Sequence, residues 1–362
     1  MLFFYFYLIS FSLIGYGLVA SKIFKINIYN FGFLGLLGIS LISIFAFVSA
    51  LFLKHGYFFN ISIILCGLIF FVLYFKKIIN LKKELINYFL IFSILSIFII
   101  IGKNHDDFPY YHFPYISILT EFSHPIGLGQ LNNGFRNPSS IFFISSLFYL
   151  PKVSYYLFHI TPAFILGFSN LVLLNNIFDK KIFEKKKIIN FLSLITFIFI
   201  NIFFYRLAEH GTDRSGQILV IINTILILCI INNPLDNLEF KNNDIIKFLS
   251  INLCLLASIK PFFLIYFLFF SIFFFFKHTK IILIQLFLSR TFVFCLLIIF
   301  FTIFYTFINS GCLIYPATLT CFDNLSWSLP IDHIKDVRIW YELWSKGGAT
   351  PLFVVDNRIE YI

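Results

Sequence analysis

The chain has 362 residues, of which 60% are hydrophobic and only 12% are charged. A water-soluble domain is nearer half apolar and a quarter charged, and a chain of this size could not hide so much apolar surface in a soluble core. The composition therefore excludes an ordinary soluble protein. The net charge of +10 does not by itself indicate nucleic-acid binding, because its placement along the chain has another explanation.

Apolar runs with few or no charges follow one another along the chain. About 20 such residues cross a bilayer core of roughly 30 Å, so the runs predict an all-α, polytopic transmembrane helical bundle with about ten spans. The first run is expected to be a spanning helix, because neither a basic segment nor a small-residue cleavage site marks it as a signal peptide. The runs cover residues 2–20, 31–53, 57–75, 85–102, 153–178, 188–205, 216–232, 245–259, 261–276 and 287–309.

Lysines gathered in short loops set the orientation. Residues 76–84 and residues 179–187 are both rich in lysine, and basic short loops mark the cytoplasmic side. Two spans separate these loops, so both are expected inside. The excess positive charge then lies in the cytoplasm, which explains it without nucleic acid.

The polar segments of interest fall on the outer side. This orientation predicts a transmembrane module, residues 1–309, and an outer C-terminal segment, residues 310–362. The outer side also receives the long loop 103–152, the cluster 206–215 and Lys260. We therefore expect any chemistry to take place at the outer face.

The loop 103–152 begins with an acidic pair, Asp106-Asp107, directly after the fourth span. Two adjacent carboxylates in the extended or turn geometry that Pro109 favours can face different groups. One can act as general base on a hydroxyl, and the other can face a cation or an arginine. The alternative is a helix-capping or solvated pair. Residues 141–150 are apolar but too short to span, and they predict a re-entrant or interfacial helix.

Residues 206–217 form the densest charge cluster at the outer border of the membrane. Arg206, His210, Asp213 and Arg214 are candidates for binding a phosphate, because arginine makes bidentate contacts with phosphate oxygens. The alternative is a hydrated loop with internal ion pairs, in which Asp213 caps the start of the next helix.

Residues 245–276 contain one span or two. A single helix over this range would run about 48 Å, far more than the membrane core needs. Lys260-Pro261 lies in the middle of the range, so we expect a tight hairpin with Lys260 at the outer face, where it joins the candidate phosphate-binding residues. A single helix would instead move the segment 310–362 to the cytoplasm.

The segment 310–362 contains a cysteine pair and an amphipathic stretch. Outside the cytoplasm, Cys312 and Cys321 are candidates for a disulfide, with free thiols as the alternative. In residues 331–344 the side chains of Ile334, Val337, Tyr341 and Trp344 recur at helical spacing, opposite charged residues. This predicts a helix that lies at the membrane interface or packs against the first outer loop.

Three stretches together carry a family resemblance. A long outer loop with an acidic pair at its start and a helix that dips back resembles the GT-C class of polytopic glycosyltransferases. The stretches 105–111 (HDDFPYY), 210–213 (HGTD) and 310–316 (SGCLIYP) also resemble motifs of uncharacterised bacterial membrane proteins related to that class. Members of such families continue with further spans, so the resemblance implies that this chain is C-terminally truncated. It departs from many GT-C enzymes in having three extra spans before the acidic loop.

The resemblance implies a multi-pass protein of a bacterial inner membrane that uses a polyprenyl-phosphate-linked sugar donor. Its partners would be the lipid bilayer, this donor and an envelope or surface glycan acceptor, with no nucleic acid. Asp106 or Asp107 would deprotonate the acceptor hydroxyl, and a divalent cation, held by these carboxylates and His105, is a further option. The enzyme class would then be hexosyl or pentosyl transfer.

A non-catalytic membrane protein, a transporter or a polymerase of envelope-polysaccharide assembly is the alternative function. Transporters place ionisable residues within their spans, whereas here Lys247, Lys260 and Arg290 lie at span ends. Broken helices in corresponding halves of the chain, which mark many transporters, are not evident either.

Overall fold

The computed structural model describes residues 1–28, 30–78, 80–101, 106–178, 187–203, 207–232, 242–275 and 277–346. Within these ranges the chain is all-helical and contains no strand, which confirms the predicted fold class. Helical segments lie at all ten apolar runs. The helices are α1 (Leu2–Phe24), α2 (Phe31–Phe52), α3 (Tyr57–Tyr74), α4 (Leu81–Leu95), α5 (Phe98–Ile101), α6 (Phe113–Glu121), α7 (Ser140–Ser146), α8 (Thr161–Phe178), α9 (Lys187–Phe203), α10 (Leu207–Asn232), α11 (Asn242–Ile259), α12 (Phe269–Phe273), α13 (Lys277–Phe287), α14 (Arg290–Ser310) and α15 (Ile331–Ser345).

Seven helical stretches in the described ranges are long and apolar enough to cross a membrane. Two shorter apolar helices, Ile188–Ile202 and Pro261–Phe273, accompany them. Length and composition thus fit a multi-pass membrane protein, and the count of ten spans stays a prediction. The seven stretches are Leu2–Phe24, Phe31–Phe52, Tyr57–Lys77, Leu81–Ile100, Tyr155–Phe178, Gly211–Ile231 and Arg290–Ser310.

The chain forms two compact units. The first unit, called the helical unit below, contains Met1–His124 and the described residues of Ser139–Ile299. The second unit, called the outer-loop unit, contains Pro125–Pro138 and the described residues from Phe300 onward. Residues 125–138 of the long loop therefore group with the C-terminal segment rather than with the helices that flank them.

Glycines let the first three helices of the helical unit pack closely. A Cβ built on Gly15 would overlap the carbonyl of Gly67 on α3, and one on Gly38 would overlap the carbonyl of Leu13 on α1. Small residues permit this backbone approach in membrane helix pairs. Helix α8 lies next in the packing, against α2, α4, α9 and α10, and α10 packs in turn against α11.

The chain breaks at Lys260, as predicted. Helix α11 ends at Ile259, Lys260 has extended backbone angles (φ −151°, ψ 126°), and a 3₁₀ segment, Pro261–Leu268, follows. This segment and α13 both pack against α11, so the chain folds back at Lys260. The interpretation of two helical segments rather than one long helix is confirmed.

A buried histidine fixes the acidic loop of the helical unit to the turn between α2 and α3. His55 is fully buried, and its two ring nitrogens lie 2.8 Å from the hydroxyl of Ser49 and 2.6 Å from the hydroxyl of Ser146 on α7. Its backbone amide donates to the carbonyl of Leu119 on α6 (2.8 Å). The short buried helix α7 thus confirms that the apolar residues 141–150 begin with a helix that does not span.

The outer-loop unit is built around a disulfide and a short apolar core. Cys312 and Cys321 are bonded, which confirms the predicted pair. Ile334 and Val337 of α15 pack with Cys312, Tyr315 and Leu329. The predicted amphipathic helix is therefore present, but the face it was assigned is divided: Ile334 and Val337 are buried, whereas the later aromatic residues on that face are about half exposed.

Candidate functional site

The acidic pair begins a single turn of π-helix in the helical unit. Asp106 lies in a turn, whereas Asp107 has helical backbone angles (φ −63°, ψ −28°) and caps the π-turn Phe108–His112. The expected extended or turn geometry thus holds for Asp106 only, because the helical turn starts at Asp107. The hydroxyl of Tyr111 donates to Oδ2 of Asp107 (3.3 Å). Isolated π-turns occur frequently at functional sites.

His112 ends this π-turn and is buried. Its ring lies 4.4 Å from that of Tyr111 and 4.8 Å from that of Phe142 on α7, measured between centroids. Tyr111 therefore connects Asp107 to His112, since its hydroxyl bonds the carboxylate and its ring contacts the imidazole. No role for His112 was predicted from the sequence. The repeated Phe-Pro-Tyr triplets at 108–110 and 113–115, which bracket Tyr111 and His112, were the available signal.

A kink in α10 meets His112. Gly211 has backbone angles of φ 40° and ψ −103° inside an otherwise helical stretch. A Cβ built on Gly211 would lie 3.2 Å from Cε1 of His112 and 3.5 Å from its Nδ1. The hydroxyl of Ser215 donates to the Gly211 carbonyl (2.7 Å), which gives that carbonyl a partner at the kink. Two motifs a hundred residues apart in sequence are thus in contact.

Asp213 and Lys260 form an ion pair next to this kink. Their side chains are 55% and 44% exposed, so solvent reaches both groups. The ring of Phe263, three residues after Lys260, occupies the space that a Cβ on Gly216 would need, which holds the two segments together. Asp213 therefore pairs with Lys260 at the break. It does not cap the start of α10, because that helix begins upstream of it at Leu207.

Of the remaining predicted site residues, the structure describes the side chain of Arg214 but not those of Arg206, His105 and His210. Nη1 of Arg214 donates to Oε1 of Gln217 on the same helix (2.9 Å). The predicted phosphate ligand Arg206 and the predicted metal ligand His105 lie outside the described residues. The backbone of His210 belongs to α10, but its side chain is also outside the described part. The structure thus connects Asp107 to His112 through Tyr111, places His112 beside Gly211 and pairs Asp213 with Lys260, and it leaves the predicted roles of the others untested.

The arrangement supplies the groups that acid–base chemistry on a charged substrate needs. Tyr111 contacts both the carboxylate of Asp107 and the imidazole of His112. Gly211, beside His112, lies two residues before Asp213, whose carboxylate pairs with the ammonium group of Lys260. Three interruptions of regular backbone carry these groups: the π-turn, the kink and the break at Lys260. Within a membrane, irregular backbone is tolerated where it is buried in protein or lines a water-filled cavity.

Among the described residues, no three His, Cys, Asp or Glu side chains gather into a set that could hold a metal ion. The possible divalent cation stays a prediction, because His105, one of its expected ligands, is not among those residues.

Comparison with known proteins identifies the family. Residues 1–352 match the family model described as a domain of unknown function, DUF8201, and the chain therefore belongs to this family. No curated protein matches the chain. No solved structure matches it.

Proposed function

We propose that this chain is a GT-C-type membrane glycosyltransferase that works at the outer face of a bacterial inner membrane. In this proposal it has about ten spans, with its lysine-rich loops in the cytoplasm. It moves a sugar from a polyprenyl-phosphate-linked donor to the hydroxyl of an envelope or surface glycan. The resemblance of the acidic outer loop to that class, and of the three motifs to membrane proteins related to it, suggests the reaction, and the geometry of the helical unit supports it.

The observation that carries the proposal is the contact between His112 and Gly211. It joins the acidic motif to the His-Gly-Thr-Asp motif, whose Asp213 is paired with Lys260. Sugar transfer needs a base for the acceptor and a cation for the leaving phosphate close to one another. Packing alone does not require the π-turn of Asp107 and His112 to lie beside the Gly211 kink, two residues before the Asp213 that pairs with Lys260.

The proposed reaction uses the acidic pair as the base and the cationic side chains to neutralise the leaving phosphate. Asp107 or Asp106 accepts the proton of the acceptor hydroxyl, and the acceptor oxygen forms a bond to C1 of the sugar. The bond between C1 and the phosphate oxygen breaks, and its electron pair leaves with the polyprenyl phosphate. Lys260, with Arg206 and Arg214, neutralises this leaving group. Fixed charges of this kind, placed where charge develops, contribute strongly to catalysis.

Sugar transfer by membranes that carry the full chain tests the proposal. Radiolabelled polyprenyl-phosphate glucose, mannose and arabinose are supplied separately, and label in lipid-free glycan is counted. We expect transfer from one donor. Asp107→Asn or Asp106→Asn should lower it about 100-fold or more, since general-base catalysis contributes that much. Lys260→Met should lower it by about 100-fold, as the loss of one charge-stabilising group does.

Exposed residues outside the site provide matched controls. Asp323→Asn and Lys335→Met make the same chemical changes on the outer-loop unit and should leave transfer unchanged. Undiminished transfer in both aspartate variants, or no transfer from any donor above that of empty membranes, would overturn the proposal. The second result would favour a non-catalytic role in polysaccharide assembly.

A further inference from the structure

A buried arginine stands at the centre of the outer-loop unit. Arg136 is only 5% exposed. Its Nε donates to the carbonyl of Gly129 (3.1 Å), Nη1 donates to the hydroxyl of Tyr315 (2.7 Å), and Nη2 lies 2.8 Å from Nε2 of His333. The guanidinium also lies over the ring of Tyr315, 5.5 Å from its centroid. Residues far apart in the sequence thus converge on this one cation.

All three partners of Arg136 are neutral. No Asp or Glu among the described residues pairs with it: Asp332 is bonded to Lys335 (2.9 Å), and Glu342 is paired with Lys346 (3.4 Å). Burying a cation without a counter-charge is unfavourable, and buried charges in proteins are normally paired. Arg136 therefore has no ion-pair partner among the described residues, and Asp336, whose charge raises the pKa of His333 against the effects of burial and Arg136, acts on His333 alone among the cluster's members.

The cluster also retains hydrogen-bond donors. Arginine has five N–H groups, of which the three contacts use three. One N–H on each terminal nitrogen then has no acceptor among the described residues. The Tyr315 hydroxyl accepts from Arg136, and its own O–H has no described acceptor either. Two N–H groups and one O–H around a cation without a described ion-pair partner are the donor set that carboxylate or phosphate oxygens bind.

One side of the cluster is open. His333 is exposed and Tyr341 is 44% exposed, both on α15. Burial raises the pKa of Tyr341 while the charge of Arg136 opposes that rise, so the phenol lies within the electrostatic reach of the guanidinium. A ligand that enters past His333 can reach Arg136 and Tyr315, which lies within the loop closed by the Cys312–Cys321 disulfide.

We propose that Arg136, Tyr315 and His333 form a binding site for an oxyanion, either a carboxylate or a phosphate group. Its source is a soluble glycan or metabolite, or the headgroup of a lipid. The site is independent of the proposed sugar transfer, because all of its residues belong to the outer-loop unit.

The tryptophans provide a local readout for this site. All three (Trp327, Trp340 and Trp344) lie in the outer-loop unit, and two of them are on α15 with His333. The full chain, in phosphatidylcholine nanodiscs, is titrated with inorganic phosphate or acetate at constant ionic strength, with chloride as reference. We expect a saturable fluorescence change and a higher melting temperature with at least one of the two oxyanions. Replacing part of the lipid by phosphatidylglycerol should give the same change if the source is a lipid headgroup.

Variants separate an oxyanion site from a structural clamp. Arg136→Gln should abolish the response, and Tyr315→Phe, which keeps the cation, should weaken apparent affinity about tenfold, as loss of one hydrogen bond to a charged ligand does. Arg338→Gln removes an exposed arginine of α15, the helix that carries His333, and should leave the fluorescence response and the melting temperature unchanged. No oxyanion response in the unaltered chain, or an unchanged response in both Arg136→Gln and Tyr315→Phe, would overturn the proposal. If Arg136→Gln does not fold, Tyr315→Phe alone decides.

Discussion

Replacing Gly211 by alanine tests the contact on which the candidate site depends. At φ 40° and ψ −103°, Gly211 has a conformation that residues with a Cβ rarely adopt. Holding alanine there costs about 1–3 kcal/mol. The new Cβ would also lie 3.2 Å from Cε1 of His112, closer than carbon atoms normally pack, so the buried imidazole must shift by a few tenths of an ångström. We expect a loss of about 2–3 kcal/mol in the free energy of unfolding.

Reversible unfolding in mixed micelles with sodium dodecyl sulfate, followed by circular dichroism, measures this loss. Gly56→Ser is the matched control, because Gly56 has φ −77°, caps α3 and has open space around its Cβ position. Serine is favoured at such a cap, so the change should stay within about 0.5 kcal/mol. In the sugar-transfer assay Gly211→Ala should also reduce turnover several-fold by displacing His112. A free energy of unfolding equal to that of the unaltered chain would show that the kink does not require glycine and would refute this prediction.

Three further predictions use other parts of the molecule. Burial lowers the pKa of His55 to about 4 from 6.5, so its contribution to stability is complete above pH 6.5 and is lost as the pH falls towards 4. This amounts to about 3 kcal/mol, and unfolding of His55→Gln should depend less on pH over that range. Removing the disulfide by Cys312→Ala with Cys321→Ala, across a sequence separation of 9, should cost about 3 kcal/mol, read from tryptophan fluorescence, whereas a tail that does not fold around this bond would lose nothing. A double-mutant cycle of Asp213→Asn and Lys260→Met should give a coupling of only about 0.2–1 kcal/mol in stability, because both groups are exposed. A much larger coupling would mean that the pair is structural rather than available to a substrate.

The parts of the fold that were predictable are those set by local sequence. Uninterrupted apolar runs form helices because the membrane interior leaves backbone groups no other partners. Lys260-Pro261 breaks such a run, since proline lacks an N–H and lysine needs water. Cys312 and Cys321 are close in sequence, so their pairing needed no knowledge of the tertiary fold. These expectations follow from one segment at a time.

The contacts that build the sites were not predictable in the same way. Asp107 was expected in extended or turn geometry before Pro109, but it starts a π-turn, in which proline is tolerated near the N-terminal end. The contact of His112 with Gly211 depends on how the π-turn Phe108–His112 packs against α10, which joins segments about a hundred residues apart. The Arg136 cluster joins residues 179 and 197 positions apart in sequence, and these two long-range hydrogen bonds are set by tertiary packing alone.

The cost of broken backbone supports a function for the helical unit's candidate site. In apolar helices each interruption frees polar groups that must be paired again, which favours continuous helices wherever packing is the only requirement. At the kink, the hydroxyl of Ser215 donates to the carbonyl of Gly211. At the break, the ammonium group of Lys260 forms an ion pair with Asp213. The kink adjoins both the π-turn at His112 and the break at Lys260, and Gly211 at the kink has the strained backbone conformation (φ 40°, ψ −103°). Strain of this kind persists where the surrounding structure holds it, most often at active sites and ligand clamps. The residues at the three interruptions are therefore the first that mutagenesis should address.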